Sequence, residues 1–333
     1  MKKNTINFNN KTILITGGAG FIGSNLAFYF QNNYPSSRII IFDCFRSESE
    51  ISDNRPISFG HYKNLIGFNG HIICGNINNM NDLKLLSKFK FDFIFHQAAI
   101  SDTRFYNQEV VIKTNVNSFY DLLEIAKKNK ATMVYASSAA TYGSLPSPQT
   151  LGEENPENPY GYSKYVMDQI ATRYSIENPD MVVTGLRYFN VYGPREYYKA
   201  STASMIIQLA HQILKKKSPR LFFDSDKIMR DFIYVDDVIQ ANINAALSNR
   251  NGIYNVGTGI PRSFEDIVTI LQVELNSNFD IEYFSNPFKG YQMHTQADIK
   301  NSIVDLNFDP KFSLEKGIKA YIPEILRLYG ADI

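Results

Sequence analysis

The chain alternates between short, nearly continuous apolar runs and longer segments with apolar residues at helical spacing. The runs are "KTILIT" ending at Thr16, "RIIIFD" (38–43), "HIICGNI" (71–77), "FDFIFHQAA" (91–99), "TMVYASS" (132–138) and "MVVTGLRYF" (181–189). Uninterrupted runs of this kind predict strands covered on both faces. Helix-like segments lie between them, after the first run and near 107–128 and 160–176. Strand–helix alternation predicts an α/β fold with a parallel, doubly wound Rossmann sheet. In such a sheet ligands lie at the C-terminal strand ends, here Gly17, Asp43, Gln97–Ala99, Ser138 and Phe189–Asn190. Residues 44–69 break the rhythm and read as a lid or as a surface insertion.

The first strand runs into "GGAGFIGSNL", with Gly17, Gly20 and Gly23 in the form G-x-x-G-x-x-G, and Phe21 and Ile22 inside it. Glycines between a strand and a helix let the backbone approach a pyrophosphate at the helix N-terminus. Asp43 ends the second strand, where an acid meets the adenosine ribose. These features predict a dinucleotide site. Asp43 by itself favours NAD, since it repels a 2′-phosphate, whereas Arg46 and Lys63 are placed to hold one.

Ser138 closes "TMVYASS", and "NPYGYSK" supplies Tyr160 and Lys164. On a helix these two share a face. A free tyrosine titrates near 10, so acting as a base near neutrality requires a fall of roughly three units. An ammonium and a positive nicotinamide ring both favour the phenolate. Ser138 would hydrogen-bond the reacting oxygen. Tyr162 is two residues from Lys164 and faces elsewhere.

Composition narrows the classes. The chain has 333 residues, is 44% hydrophobic and carries a net charge of +1, which points to no nucleic-acid or membrane partner. The two cysteines, Cys44 and Cys74, form no zinc or disulfide pattern, and no metal site is expected. The N-terminal stretch is polar where a signal peptide needs an apolar core, and no apolar run approaches membrane-spanning length. The reading is a soluble, cytoplasmic protein.

This constellation resembles the extended short-chain dehydrogenases/reductases over almost the whole chain. Further landmarks are "RYFNVYGPR" (187–195), "RDFIYVDDV" (230–238) and "GIYNVGTG" (252–259). The resemblance implies an NAD(P)-binding Rossmann domain, residues 1–187 plus about 234–262. A smaller C-terminal α/β domain, about 188–233 plus 263–333, would bind a nucleotide-sugar. It adds Asn115, Gln97, Ala98, Ala99, Ser101 and Val191 to the cofactor side. Arg230 would reach the substrate phosphates; by itself, beside Asp231, it reads as a surface ion pair. Ala139 and Ala140 stand where the family's dehydratases carry an acidic pair, which speaks against elimination.

Lys199, in "RYFNVYGPREYYKAS", raises the question of a second acid/base. An ordinary sugar carbon has no acidic C–H, so inversion calls for hydride removal and return to the opposite face. If only the small end of the sugar turns, the oxygen moves away from Tyr160 and a second group is needed. A lysine lowered by burial suits that role. "YASSAATYG", "YGYSK", "RYFNVYGPRE" with Lys199 and Ser201, and "YQMHTQAD" (291–298) together resemble the heptose 6-epimerase family. That resemblance implies an isomerase with tightly held NADP, inverting C6 of ADP-D-glycero-D-manno-heptose for lipopolysaccharide core synthesis. It implies Tyr160 and Lys199 as acid/base residues, with Lys164 and Ser138 beside them. Asn190, Ser201, Gln208, Phe222, Phe223, Asp224, Ser225, Arg230 and Tyr291 would touch substrate. Gln208 stands where that family suggests a histidine, and Asn76 replaces an acid common near adenine. Two alternatives stay open at this point: a C4 epimerase or dehydrogenase of another nucleotide-sugar, which has no need of Lys199, and a nucleotide-sensing regulator without catalysis. Self-association through 107–128 and 160–176 is expected.

Overall fold

The computed structural model describes residues 7–47, 51–52, 55–287 and 292–331. Seven parallel strands form one sheet. Their spatial order is His71–Cys74, Arg38–Asp43, Thr12–Thr16, Phe93–His96, Thr132–Ser138, Val183–Tyr188 and Gly252–Val256. Numbered along the chain that order is 3-2-1-4-5-6-7, so the switch point lies between Thr12–Thr16 and Phe93–His96. The cofactor turn leaves the first of these two strands, and Gln97–Ala99 leave the second.

Alternation along the strands feeds two apolar layers. Ile13 and Ile15 face one, with Phe30, Ile41 and Phe95, under helices Phe21–Asn33 and Val235–Ser248. Leu14 faces the other, with Ile40, Phe42 and Ile94, under Ser118–Asn129 and Pro159–Glu177. A third cluster, including Ile206, Leu209, Ile267, Leu271, Ile318 and Ile325, joins helices Met205–Leu214, Phe264–Glu274 and Leu314–Ala331. Small ribbons attach this part to the sheet. Asn190–Tyr192 runs parallel to Met229–Tyr234, which pairs antiparallel with Pro261–Ser263.

Two expected outlines change. The strands expected over 71–77, 91–99 and 181–189 are shorter, because their last residues leave the ladder to line the cleft or enter turns. The helix expected over 107–128 is interrupted. Gln108–Ile112 and Ser118–Asn129 are joined by a π-helical turn, Lys113–Asn117. Asn115 is the reason. Its side chain points inward, accepting from Ile100 N (2.8 Å) and donating to Ile100 O (3.0 Å) and Ser163 Oγ (2.9 Å). A local π-turn is a common way to aim one residue out of helical register. Both cysteines are exposed.

Candidate active site

A cleft of about 520 Å³ opens at the C-terminal ends of the strands. Gly17, Gly20, Phe21, Ile22, Gly23, Asp43, Gln97, Ala98, Ala99, Ser101, Ser138, Tyr160, Lys164, Asn190, Val191, Lys199 and Arg230 all line it. The cofactor turn and both acid/base candidates therefore share one space.

The glycine turn fits a dinucleotide. Gly17 sits at φ +69, and a Cβ there would lie 2.6 Å from Ala98 N. A Cβ on Gly23 would lie 2.2 Å from Gly17 O, so only hydrogen lets the helix start this close to the turn. Helix Phe21–Asn33 begins at Gly20 with no side-chain cap and no acidic residue in its first turn. Its first N–H groups are left to an anion.

Asp43 is turned into the protein. Its carboxylate accepts from Ala19 N (2.9 Å) and Phe45 N (2.8 Å), and burial raises its pKa while those N–H groups pull it down. Gly60 lies against it, where a Cβ would come within 2.3 Å of Oδ1. The irregular segment after Asp43 thus contributes wall: Ile57–Gly60 line the cleft. Arg46 and Lys63 lie outside the lining, yet both lie near enough to His61 to hold its pKa down, after burial.

Tyr160 is set by a well-formed helix start. Asn158 caps Pro159–Glu177, its side chain accepting from Gly161 N at 2.8 Å, and Pro159 occupies the first turn. Lys164 is 1% exposed and donates to Ala136 O at 2.6 Å, with Nζ 5.9 Å from the Tyr160 ring centre. Burial lowers Lys164 to about 8, against an upward pull from Asp168. Burial raises the Tyr160 phenol, and the Ser138 hydroxyl pulls it back. Lys164 alone therefore does not bring the Tyr160 phenol down toward neutrality. Tyr162 faces away and is 51% exposed.

Beneath this pair lies a buried charge network. Arg187 bonds Asp168 (2.8 Å) and Glu154 (2.5 Å), and Asp168 also accepts from Tyr135 (2.8 Å) and Ser137 (2.9 Å). Asp168 stands one turn beyond Lys164, on the face that already carries Tyr160, so the i, i+4, i+8 spacing was visible in the sequence. His96 is buried with Nδ1 2.7 Å from Thr16 Oγ1; burial and then Lys164 depress it to about 3, so it is neutral.

Lys199 stands on the 3-10 segment Tyr197–Thr202 and faces Phe21, Nζ lying 5.6 Å from that ring centre. Burial lowers its pKa; Glu196 and Asp102 oppose that. Ala200, next in sequence, is held at φ +52, ψ −123, a conformation usually left to glycine. Glu196 frames the segment. Its side chain is fully buried and accepts from Gly193 N (3.2 Å), Ser204 N (2.7 Å) and Ser204 Oγ (2.7 Å). Nothing in the sequence marks this, since an acid in a turn-rich stretch reads as solvated.

Arg230 and Asp231 are not a pair with each other. Arg230 reaches the cleft, donating to Met229 O at 2.9 Å and to Gln292 O. Asp231 is buried and accepts from Thr258 N and Oγ1 (both 2.7 Å), Gly259 N (2.9 Å) and Ala297 N (2.9 Å). Other expected contacts lie away from the cleft lining. Asn115 is behind it, holding Ile100 and Ser163. Ser201 is exposed, and Gln208 donates to Ala203 O at 2.7 Å. Phe222 ends the ribbon strand Arg220–Phe222, and Phe223, Asp224 and Ser225 follow it, where Asp224 pairs with Lys227 (2.6 Å) and Ser225 with Glu265 (3.0 Å). Tyr291 lies outside the described residues.

Residues 13–257 match the family described as NAD dependent epimerase/dehydratase. The chain is 36% identical over 326 residues to the ADP-L-glycero-D-manno-heptose-6-epimerase of Brachyspira hyodysenteriae, covering 96% of this chain and 98% of that one. Its structure resembles the Helicobacter pylori ADP-L-glycero-D-manno-heptose-6-epimerase, with a TM-score of 0.89 and 48% identity over 98% of this chain and 99% of the other. It also resembles UDP-glucose 4-epimerase of Thermotoga maritima, with a TM-score of 0.82 and 27% identity over 95% and 99%. A glycine cradle at the switch point, a tyrosine and lysine in the first turns of helix Pro159–Glu177 and these matches agree: the chain belongs to the NAD-dependent epimerase/dehydratase family.

Proposed function

We propose that this protein is an isomerase that inverts C6 of ADP-D-glycero-D-manno-heptose, giving ADP-L-glycero-D-manno-heptose, with NADP as a retained cofactor. The observation that carries the reading is Lys199, a second burial-lowered acid/base candidate lining the cleft that holds Tyr160. The heptose 6-epimerases named above support the substrate.

A nicotinamide supplies reversible acceptance and return of hydride. The chain's own groups do the rest. Tyr160 takes the hydroxyl proton of one epimer while Ser138 hydrogen-bonds the reacting oxygen. Lys164 adds positive charge beside the phenol. The resulting 6-ketone turns within the cleft, and Lys199 handles the proton at the opposite face. The proton given up at one face is replaced at the other, so the reaction is redox-neutral and needs no second substrate. Arg230 faces the diphosphate, and Asn190 the sugar. We assign the cofactor to 1–187 plus about 234–262 and the sugar nucleotide to the remainder, in keeping with the separate apolar cluster there.

NADP rather than NAD is supported by the position of Asp43. Its charge is spent on Ala19 and Phe45 N–H groups, while Arg46 and Lys63 gather near His61. The setting we propose is cytoplasmic, supplying heptose for lipopolysaccharide; no described helix is long and apolar enough to cross a membrane. Self-association is supported by exposed Tyr120, Tyr162 and Ile176 on the two helices that carry them.

The test is proton NMR of ADP-D-glycero-D-manno-heptose with purified protein and no added cofactor. A mixture of the two C6 epimers without net oxidation is expected. No change, even with NADP or NAD supplied, overturns the C6 reading and favours a C4-acting enzyme on another nucleotide-sugar. Denatured, dialysed enzyme should release NADP into the supernatant; release of NAD would correct the cofactor alone.

A further inference from the structure

The segment carrying Lys199 is irregular, with Ala200 at positive φ inside it. Glu196 and Ser204 secure its base. Its outer side rests on a different part of the chain, the turn that begins at His61. The His61 and Tyr198 rings are stacked almost in parallel, with centres 4.0 Å apart and an interplanar angle of 4°. Lys63 Nζ lies 5.9 Å from the centre of the same Tyr198 ring. Tyr198 is the residue immediately before Lys199.

The His61 turn is itself built onto the cofactor loop. His61 N and Asn64 Nδ2 both donate to Ala19 O, at 3.0 Å each. Ala19 N in turn donates to Asp43. His61 Nδ1 accepts from Lys63 N at 3.2 Å, which fixes the ring plane. A second tie runs alongside. Arg195 Nε donates to Asn64 O (3.3 Å), and Asn25 Nδ2 donates to Pro194 O (2.9 Å). Asn25 belongs to helix Phe21–Asn33, which starts at the glycine turn. The glycine turn, the His61 turn and the Lys199 segment are therefore one continuous bonded unit.

We infer that His61 is a positioning residue for Lys199: its stack on Tyr198 sets the second acid/base against a wall whose other face is the cofactor loop. The inference rests on the reading of Lys199 as an acid/base. A ring-on-ring contact is suited to this, because it fixes a plane and a distance without adding charge beside the amine. It also gives the segment 57–64 a role beyond lining the cleft. It is the strut between the adenosine side of the cleft and the proton-transfer side.

The experiment compares His61→Ala, His61→Phe and Lys199→Met in the full-length holoenzyme. Epimer interconversion is followed by NMR, and cofactor reduction at 340 nm is followed with each C6 epimer separately. For His61→Ala, turnover should fall about 10²-fold, the cost of misplacing a catalytic group by about 1 Å. KM and cofactor content should hold. The fall should concern the epimer that Lys199 deprotonates, with reduction by the other epimer retained. His61→Phe keeps a flat ring and should recover most of the turnover. Unchanged turnover in His61→Ala overturns the inference if Lys199→Met is crippled. Equal losses with both epimers, or loss of bound cofactor, also overturn it, since they assign His61 to general structure or to cofactor binding. If Lys199→Met itself turns over normally, the acid/base reading fails first, and the inference fails with it.

Discussion

Tyr160 and Lys199 line the same cleft but are held in opposite ways. Tyr160 is the second residue of a 19-residue helix with an asparagine cap, and its partner Lys164 is pinned to a strand carbonyl. Lys199 stands on six residues of 3-10 segment containing an alanine at positive φ, kept in shape by one buried glutamate and one stacked ring. The first group is placed by regular structure and the second by side chains that replace it. The more versatile arrangement is the second, because a group aimed by local bonds can be re-aimed by changing few of them. The cost is that each such bond matters more.

The largest expected effects lie on the Tyr160 side. Tyr160→Phe should lower epimerisation by about 10²–10⁴-fold, the usual worth of a general acid–base. The contrast with Lys199→Met sharpens the comparison. Each variant should still reduce bound cofactor with one C6 epimer and fail with the other, and the two should fail with opposite epimers. Failure with the same epimer would show that both residues serve one face.

Arg187→Met tests how far the regular side depends on its buried charges. It leaves Asp168 and Glu154 without their cation, and stability to denaturant should fall by about 3–5 kcal/mol. A change under about 1 kcal/mol would mean that the network is dispensable for folding.

A smaller effect at Lys164 is read by pH. Lys164 is lowered to about 8, so its ammonium is lost as the pH rises through that value. Tyr160 then loses its neighbouring charge, and kcat/KM should fall along an alkaline limb near pH 8. Stability moves the other way. The unfolded chain still binds that proton up to the usual lysine range, so the burial cost carried below about pH 8 fades as the pH rises further. A flat profile from pH 7 to 9.5 would remove Lys164 from the rate. The least effect is expected at Ala200. Valine is strained at that φ, and Ala200→Val should cost about 1–3 kcal/mol of stability, with a loss of turnover that exceeds any change in cofactor content.

What the sequence made legible follows the same division. Strand–helix alternation, the glycine turn, Ser138 and the Tyr160–Lys164 pair repeat at periods of regular structure, so their placement could be read from spacing. Asn115 reads as part of an unbroken helix, because nothing in "IKTNVN" marks a π-turn; the cause is Ile100 and Ser163, both distant in sequence. Glu196 and His61 left no periodic trace. Their partners lie in loops, and loop contacts depend on where the surrounding elements end. Arg230 and Asp231 looked like a surface ion pair because adjacent opposite charges usually are. A strand sends neighbours to opposite faces, and here one side chain went to the cleft and the other to the interior.

Asp231 has a consequence for the order in which the molecule comes together. Its four accepted bonds come from residues 27, 28 and 66 positions downstream. The carboxylate is satisfied only when those loops have closed around it, so Asp231 acts as a latch between its own strand and the segments at Thr258–Gly259 and Ala297. Substitution there should speed unfolding while leaving the early rate of refolding unchanged. An Asp231→Asn protein that refolds more slowly, with an unaltered unfolding rate, would instead place these loops in the nucleus.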